Sequence, residues 1–150
     1  MDADTRAALA QLIRRERIAH LATLRAGAPM ASMTLYLADQ GLGAFYVHVS
    51  RLAWHTQDML KDARVALSIA QADDGRADAF TLMRITIRGE AAQLLQGPKD
   101  AWLERFPEQA INFQLADFSF WKITPRDARF VAGFGRIHNL SAAELASAAA

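Results

Sequence analysis

The run SRLAWHT (50–56) gathers side chains that can meet an anion: a hydroxyl at Ser50, a guanidinium at Arg51, then His55 and Thr56 about one turn later. The residues before it alternate. Phe45, Val47 and Val49 fall on one face and Tyr46, His48 and Ser50 on the other, the period-2 pattern of a half-buried strand. Beyond Ser50 the period becomes helical, with Leu52, His55, Met59 and Leu60 on one side. A strand therefore passes into a helix here, and Ser50 stands where a hydroxyl can cap free backbone N–H groups. Open donors at a helix start, beside a hydroxyl and a guanidinium, suit a phosphate. A plainly capped helix with Arg51 in solvent has the same spelling, so the rest of the chain must decide.

Other chemistry finds less support. His20, His48, His55 and His138 never fall at the short spacings of a metal-binding pair, which predicts no metal site. His138 follows GFGR and reads as a surface loop, with haem ligation as the alternative. Ser50 lacks the flanking glycines of a nucleophile elbow, and GFG (133–135) lacks the third glycine of a dinucleotide fingerprint. Trp54, Trp102 and Trp121 read as core or interface residues. No paired carboxylates stand in a catalytic arrangement.

The elements that must position these groups can be read in order. Residues 4–17 form an amphipathic helix through Leu9, Leu12 and Ile13. IAHLATL (18–24) is a strand, RAGAP (25–29) a turn and ASMTLYL (31–37) a second strand. Its Met33, Leu35 and Leu37 face is apolar, and Ser32, Thr34 and Tyr36 point the other way. DQGLG (39–43) turns back toward residues 44–50, predicting a hairpin that lays Thr34 and Tyr36 beside His48 and Ser50. ARVALSIAQ (63–71) carries Val65, Leu67 and Ile69 on one face and only Ala66, Ser68 and Ala70 on the other. That small-residue face leaves room for a packed helix, the preferred reading, or for a flat ligand. After a polar loop (72–79), residues 81–95 form a long strand bent at Gly89, with Arg84, Thr86 and Arg88 outward. A helix opens at Pro98, and Pro107 starts another helical turn. Residues 117–140 read as two strands turning at Thr124–Asp127, and SAAELASAAA opens with a capping box at Ser141 and Glu144. Six or seven strands at hairpin spacing with three or four peripheral helices predict a mainly β, small antiparallel barrel in a single domain spanning residues 1–150.

Composition narrows the partners. A net charge of +1 gives no electrostatic reason for nucleic acid, and the Arg14, Arg15, Arg17 cluster is interrupted by Glu16. No apolar run is long enough to span a bilayer. The first twenty residues lack the apolar segment of a signal peptide. The absence of cysteine fits a cytoplasmic location and removes thiolate chemistry.

Taken together, HLATL, GAPMAS, SRLAWHTQD, DARVALSI, RITIRGEA, DFSFWKITP and RFVAGFG occur in an order that resembles the pyridoxamine 5′-phosphate oxidase-like FMN-binding split-barrel family. The nearest branch is the one that includes haem-utilisation proteins, and the resemblance covers roughly residues 16–140. It implies a homodimer of six-stranded, Greek-key split barrels with FMN in a groove between subunits. By the same resemblance Ser50, Arg51, His55, Thr56 and Gln57 hold the flavin phosphate, and the backbone at Met33 and Thr34 runs along the isoalloxazine. Arg84 approaches the flavin, and Trp121 contacts the cofactor of the other subunit. The implied function is an FMN-dependent oxidoreductase of a small-molecule substrate, drawing on reduced nicotinamide or another donor. A haem-binding protein, or a non-catalytic flavin-binding module, on the same barrel is the alternative. The sequence departs from the pattern at Asp58, where members often carry asparagine and an acid would repel a phosphate. It also lacks further basic residues for a substrate phosphate and a histidine in its last segment, SAAELASAAA.

Overall fold

A computed structural model describes residues 1–150. Eight antiparallel strands form one strongly curled sheet: β1 (Ile18–Arg25), β2 (Ala28–Leu35), β3 (Leu37–Ala38), β4 (Phe45–Ser50), β5 (Arg64–Ala70), β6 (Arg84–Gln93), β7 (Phe118–Val131) and β8 (Ile137–Ser141). Four helices surround it: α1 (Ala3–Arg15), α2 (Trp54–Lys61), α3 (Lys99–Arg105) and α4 (Ala142–Ser147). The strand order is β2-β1-β5-β6-β7-β4-β3, with β8 on the far half of β7. The six expected strands are present, and the short β3 and β8 raise the number to eight.

The expected 31–37/44–50 hairpin is confined to its last two residues. β2 pairs along its whole length with β1, while β3 pairs with β4 only at Leu37–Tyr46 and Ala38–Phe45. Between them Tyr36 turns into the core, where its hydroxyl donates to the Ile13 carbonyl at 2.6 Å. One continuous stretch thus bonds first to one edge of the sheet and then to the other, and its break at Tyr36 is the split in the barrel. Because Tyr36 faces inward, so do Ser32 and Thr34, while Met33 is 62% exposed. The two faces of this strand are the reverse of the apolar-in expectation. The Thr34 hydroxyl bonds to the Leu35 carbonyl, which makes its burial tolerable.

β7 corrects a second expectation. Residues 124–127 do not turn; they bulge within a strand of fourteen residues. Opposite the bulge lies Gly89, where any Cβ would sit 2.2 Å from the Thr124 carbonyl oxygen. Only glycine allows the backbones to approach so closely. The extra residue sends Arg126 outward next to Asp127, in place of the usual in–out alternation. The real turn follows at 132–136.

Other local signals operate as read. Ala26–Gly27 makes the β1–β2 turn with positive φ at both positions, the backbone of a two-residue type I′ hairpin. Ser141 accepts from the Glu144 amide and caps α4. The main core lies inside the curl, between alternate residues of β1, β4, β5, β6 and β7 and the apolar face of α1. A smaller cluster, Trp102, Phe106 and Phe120, sits on the outer side under α3. No helix is long and apolar enough to cross a membrane.

Candidate functional site

The end of β4 and the start of α2 form the first candidate site. Ser50, Arg51, His55, Thr56 and Gln57 follow one another across this strand–helix junction. Ser50 is not the helix cap, however: α2 begins at Trp54 after Ala53, with no side-chain cap. The Ser50 hydroxyl donates to Asp117 Oδ2 at 2.6 Å and accepts from the Leu52 amide at 3.1 Å. Thr56 turns its hydroxyl to the Ser50 carbonyl at 2.6 Å, and the Gln57 amide reaches the Leu52 carbonyl at 3.4 Å. Arg51 extends into solvent. His55 is half-buried, and burial, partly offset by the Asp58 charge, lowers its pKa.

Asp58 faces away from this corner. It is buried beside β1, accepting from Thr23 Oγ1 and from Arg25 Nη1, both at 2.7 Å. The Arg25 guanidinium lies 4.1 Å from the centre of the Trp54 ring. Asp58 thus pins α2 to the barrel. The carboxylate that would meet a phosphate here is Asp117, which sequence reading did not single out.

The remaining expected site residues are dispersed within the chain. Met33 projects from the outer face of β2. Trp121 is buried in the core with its indole N–H unpartnered. Arg84 donates to the carbonyls of Phe80 and Leu82 and lines a 350 Å³ cavity with Phe134 and Arg129. His138 is on strand β8 rather than in a loop, with Nε2 enclosed and its ring stacked on Phe130.

The second candidate site is the outer face of the sheet. Strand register places Met33, His20, Ser68, Thr86, Arg129 and Asn139 in one row across β2-β1-β5-β6-β7-β8. The next row runs through Ala22, Ala66, Arg88, Asp127 and Ser141. No helix covers the small side chains of β5, contrary to the preferred expectation, and Ser68 and Ala70 are exposed. At one end the floor runs into a cavity of about 630 Å³ lined by Thr86, Arg88, Arg126, Asp127, Arg129 and Asn139. Arg88 grips Asp127 through two bonds of 2.8 and 2.6 Å, and Arg129 donates to Asn139 at 2.9 Å. Arg126 and Asp127 were hidden from sequence reading by the turn-like spelling TPRD. Strand alternation alone would have found Arg129.

The model of the family described as pyridoxamine 5′-phosphate oxidase matches residues 5–132. The chain belongs to that family. Among relatives, haem oxygenase HOZ, a chloroplast protein of Arabidopsis thaliana, is 33% identical over 111 residues, covering 71% of this chain and 33% of its own length. Haem oxygenase HutZ of Vibrio cholerae is 24% identical over 134 residues, covering 83% and 74%. A haem-binding protein from Mycobacterium smegmatis superposes with a TM-score of 0.82 at 27% identity, covering 95% of this chain and 60% of that one. The chain therefore spans a third of the Arabidopsis relative and three-fifths of the mycobacterial one. A protein related to general stress protein 26 from Clostridium acetobutylicum, TM-score 0.73 at 14% identity, shares the fold. Within the pyridoxamine 5′-phosphate oxidase family this chain is thus similar both to proteins named for haem and to fold relatives named otherwise.

Proposed function

We propose that this protein binds haem as its substrate on the outer face of the sheet, with oxidative opening of the macrocycle as the activity to assay. The charge of the groove carries the reading. Three guanidiniums, Arg88, Arg126 and Arg129, face one carboxylate, Asp127, leaving two net positive charges to match the two propionates of haem. The flat floor of Ala22, Ala66 and Ser68 beside it suits a planar macrocycle, and His20 in the same row is the imidazole placed to meet its iron. The names of the relatives from Arabidopsis, Vibrio and Mycobacterium support the same choice.

Titration with haemin should give a Soret band that saturates. Arg129→Ala should weaken haemin binding about tenfold, the lower end for one charge-assisted hydrogen bond at an exposed site. Haemin dimethyl ester, which lacks both carboxylates, should bind wild type and variant alike. Equal affinity of wild type for haemin and its diester would refute the propionate assignment. Loss of the Soret band under ascorbate and oxygen tests the activity.

FMN is the second reading, favoured by Arg51 and by the first-turn amides of α2, Trp54, His55 and Thr56, which no side chain caps. Against it stands Asp117, whose carboxylate already holds the Ser50 hydroxyl. If the phosphate docks there, Arg51→Ala weakens FMN and leaves riboflavin unchanged, while Asp117→Asn strengthens FMN. We also propose a homodimer: Phe80 and Phe134 are 75% and 81% exposed, with Ile137 beside them, a patch that a second copy would cover. Light scattering near 16.5 kDa at micromolar concentration would oppose it.

A further inference from the structure

We propose that a recess between β4, β7 and α3, on the outer face beside the N-terminal half of β7 and away from the arginine groove at its C-terminal half, binds a small aromatic carboxylate. The recess is about 410 Å³, within the roughly 300–1,000 Å³ range of small-molecule sites. Its walls are aromatic. The His48 ring stacks on Phe113 at 4.2 Å between centroids and lies 4.5 Å from Phe120 and 5.4 Å from Phe118. Leu94 and Leu95 close one side, and Leu95 is fully exposed at the rim. The wall depends on Gly97, where a Cβ would come 2.2 Å from the Phe120 ring. The loop can lie flat on Phe120 only because the side chain is missing.

The polar groups in this apolar surround share one preference. Lys99 brings its ammonium 5.0 Å from the centre of Phe113, and no acidic residue lines the recess. His48 Nδ1 is enclosed without a hydrogen-bond partner. A buried unpartnered acceptor costs less than a buried unpartnered N–H, so the ring proton belongs on Nε2, the nitrogen left to meet a ligand. Burial lowers the His48 pKa, which keeps the ring neutral near neutral pH. A ligand thus meets one full positive charge, one imidazole N–H and three phenylalanine rings. An aromatic ring bearing one carboxylate satisfies all of them. A second aromatic surface gains from edge or offset contact with these rings, and the carboxylate takes the two donors.

The probe is 2-naphthoate, read by imidazole resonances in two-dimensional NMR of the full chain. We expect the His48 signals to shift in a saturable way while those of His20 and His138 stay in place. Lys99→Gln, at the exposed first residue of α3, should weaken 2-naphthoate about five- to tenfold and leave 2-naphthalenemethanol unaffected. His48→Gln should weaken the acid as well, with its circular dichroism checking that the aromatic cluster holds. Unmoved His48 signals at millimolar 2-naphthoate would overturn the proposal, as would equal affinities for the acid and the alcohol. Shifts at His20 alone would place the anion in the arginine groove and would also overturn it. Haemin binding is scored separately, so failure here leaves the reading of the outer face standing.

Discussion

Replacing Asp58 by alanine tests whether that carboxylate is the fastener of α2. Its side chain is 3% exposed and accepts two hydrogen bonds, from Thr23 and from Arg25. A hydrogen bond to a charged group contributes about 1.5–3 kcal/mol, and a buried hydroxyl left without a partner costs about 1–3 kcal/mol. The Arg25 side chain is 35% exposed, so its guanidinium recovers water when the partner goes and its share must be discounted. The expected loss is about 3 kcal/mol, at the low end for breaking a buried pair. For a chain of this length that lowers the thermal midpoint by about 6–12 °C. Asp58→Asn keeps an acceptor for one partner and should lose about half as much. The assay is urea unfolding at one fixed protein concentration, with hydrogen exchange to locate the effect. Amides of α2 should open faster while those of β6 hold. A double-mutant cycle with Arg25→Ala isolates the ionic part. A loss below about 0.5 kcal/mol for Asp58→Ala, within the ordinary range for surface positions, would refute the fastener.

Two further outcomes follow from local geometry. Ala26 has φ +51° in the β1–β2 turn, and Ala26→Asn should stabilise the fold by about 0.5–1 kcal/mol in urea unfolding, since asparagine accepts this backbone more readily. His48 and His55 both have pKa values lowered chiefly by burial, so the unfolded chain binds more protons near the ordinary imidazole value of 6.5. Their contribution is full above that value and is lost as pH falls through the folded pKa, so the urea midpoint should drop on acidification and His48→Gln should flatten the slope.

What the sequence made legible was pattern backed by burial. The alternation in FYVHVS and RVALSIA places the right residues inside, because branched and aromatic side chains on one face leave no second choice of register. In ASMTLYL the same logic points the wrong way. Threonine and tyrosine look like a solvent face until their hydroxyls find the Leu35 and Ile13 carbonyls, partners that hydropathy cannot reveal. TPRD spells a turn by residue type, yet Gly89 across the ladder lets the backbones close and turns it into a bulge. The corner at Ser50 was found by spacing, but its hydrogen-bond partner lies 67 residues away in Asp117. Local sequence can propose a donor; it does not show which distant acceptor will take it.

The two acids at this corner therefore exchange the parts that residue type suggests. Asp58, the departure expected to repel a phosphate, points into the barrel and is neutralised by Arg25. Asp117, unremarkable in sequence, brings its charge to the hydroxyl that would greet the phosphate. Arg51 then balances Asp117 and leaves the corner with little net attraction for a dianion. Across the sheet the bulge acts in the opposite sense. It lets both Arg126 and Arg129 face outward with Arg88, where regular alternation would have turned one of the two inward. The fold thus offsets positive charge at the Ser50–Arg51 corner and gains it at the groove beside a flat floor. That shift, made by one aspartate and one extra strand residue, is the physical reason to place a planar dicarboxylate above a flavin nucleotide for this chain.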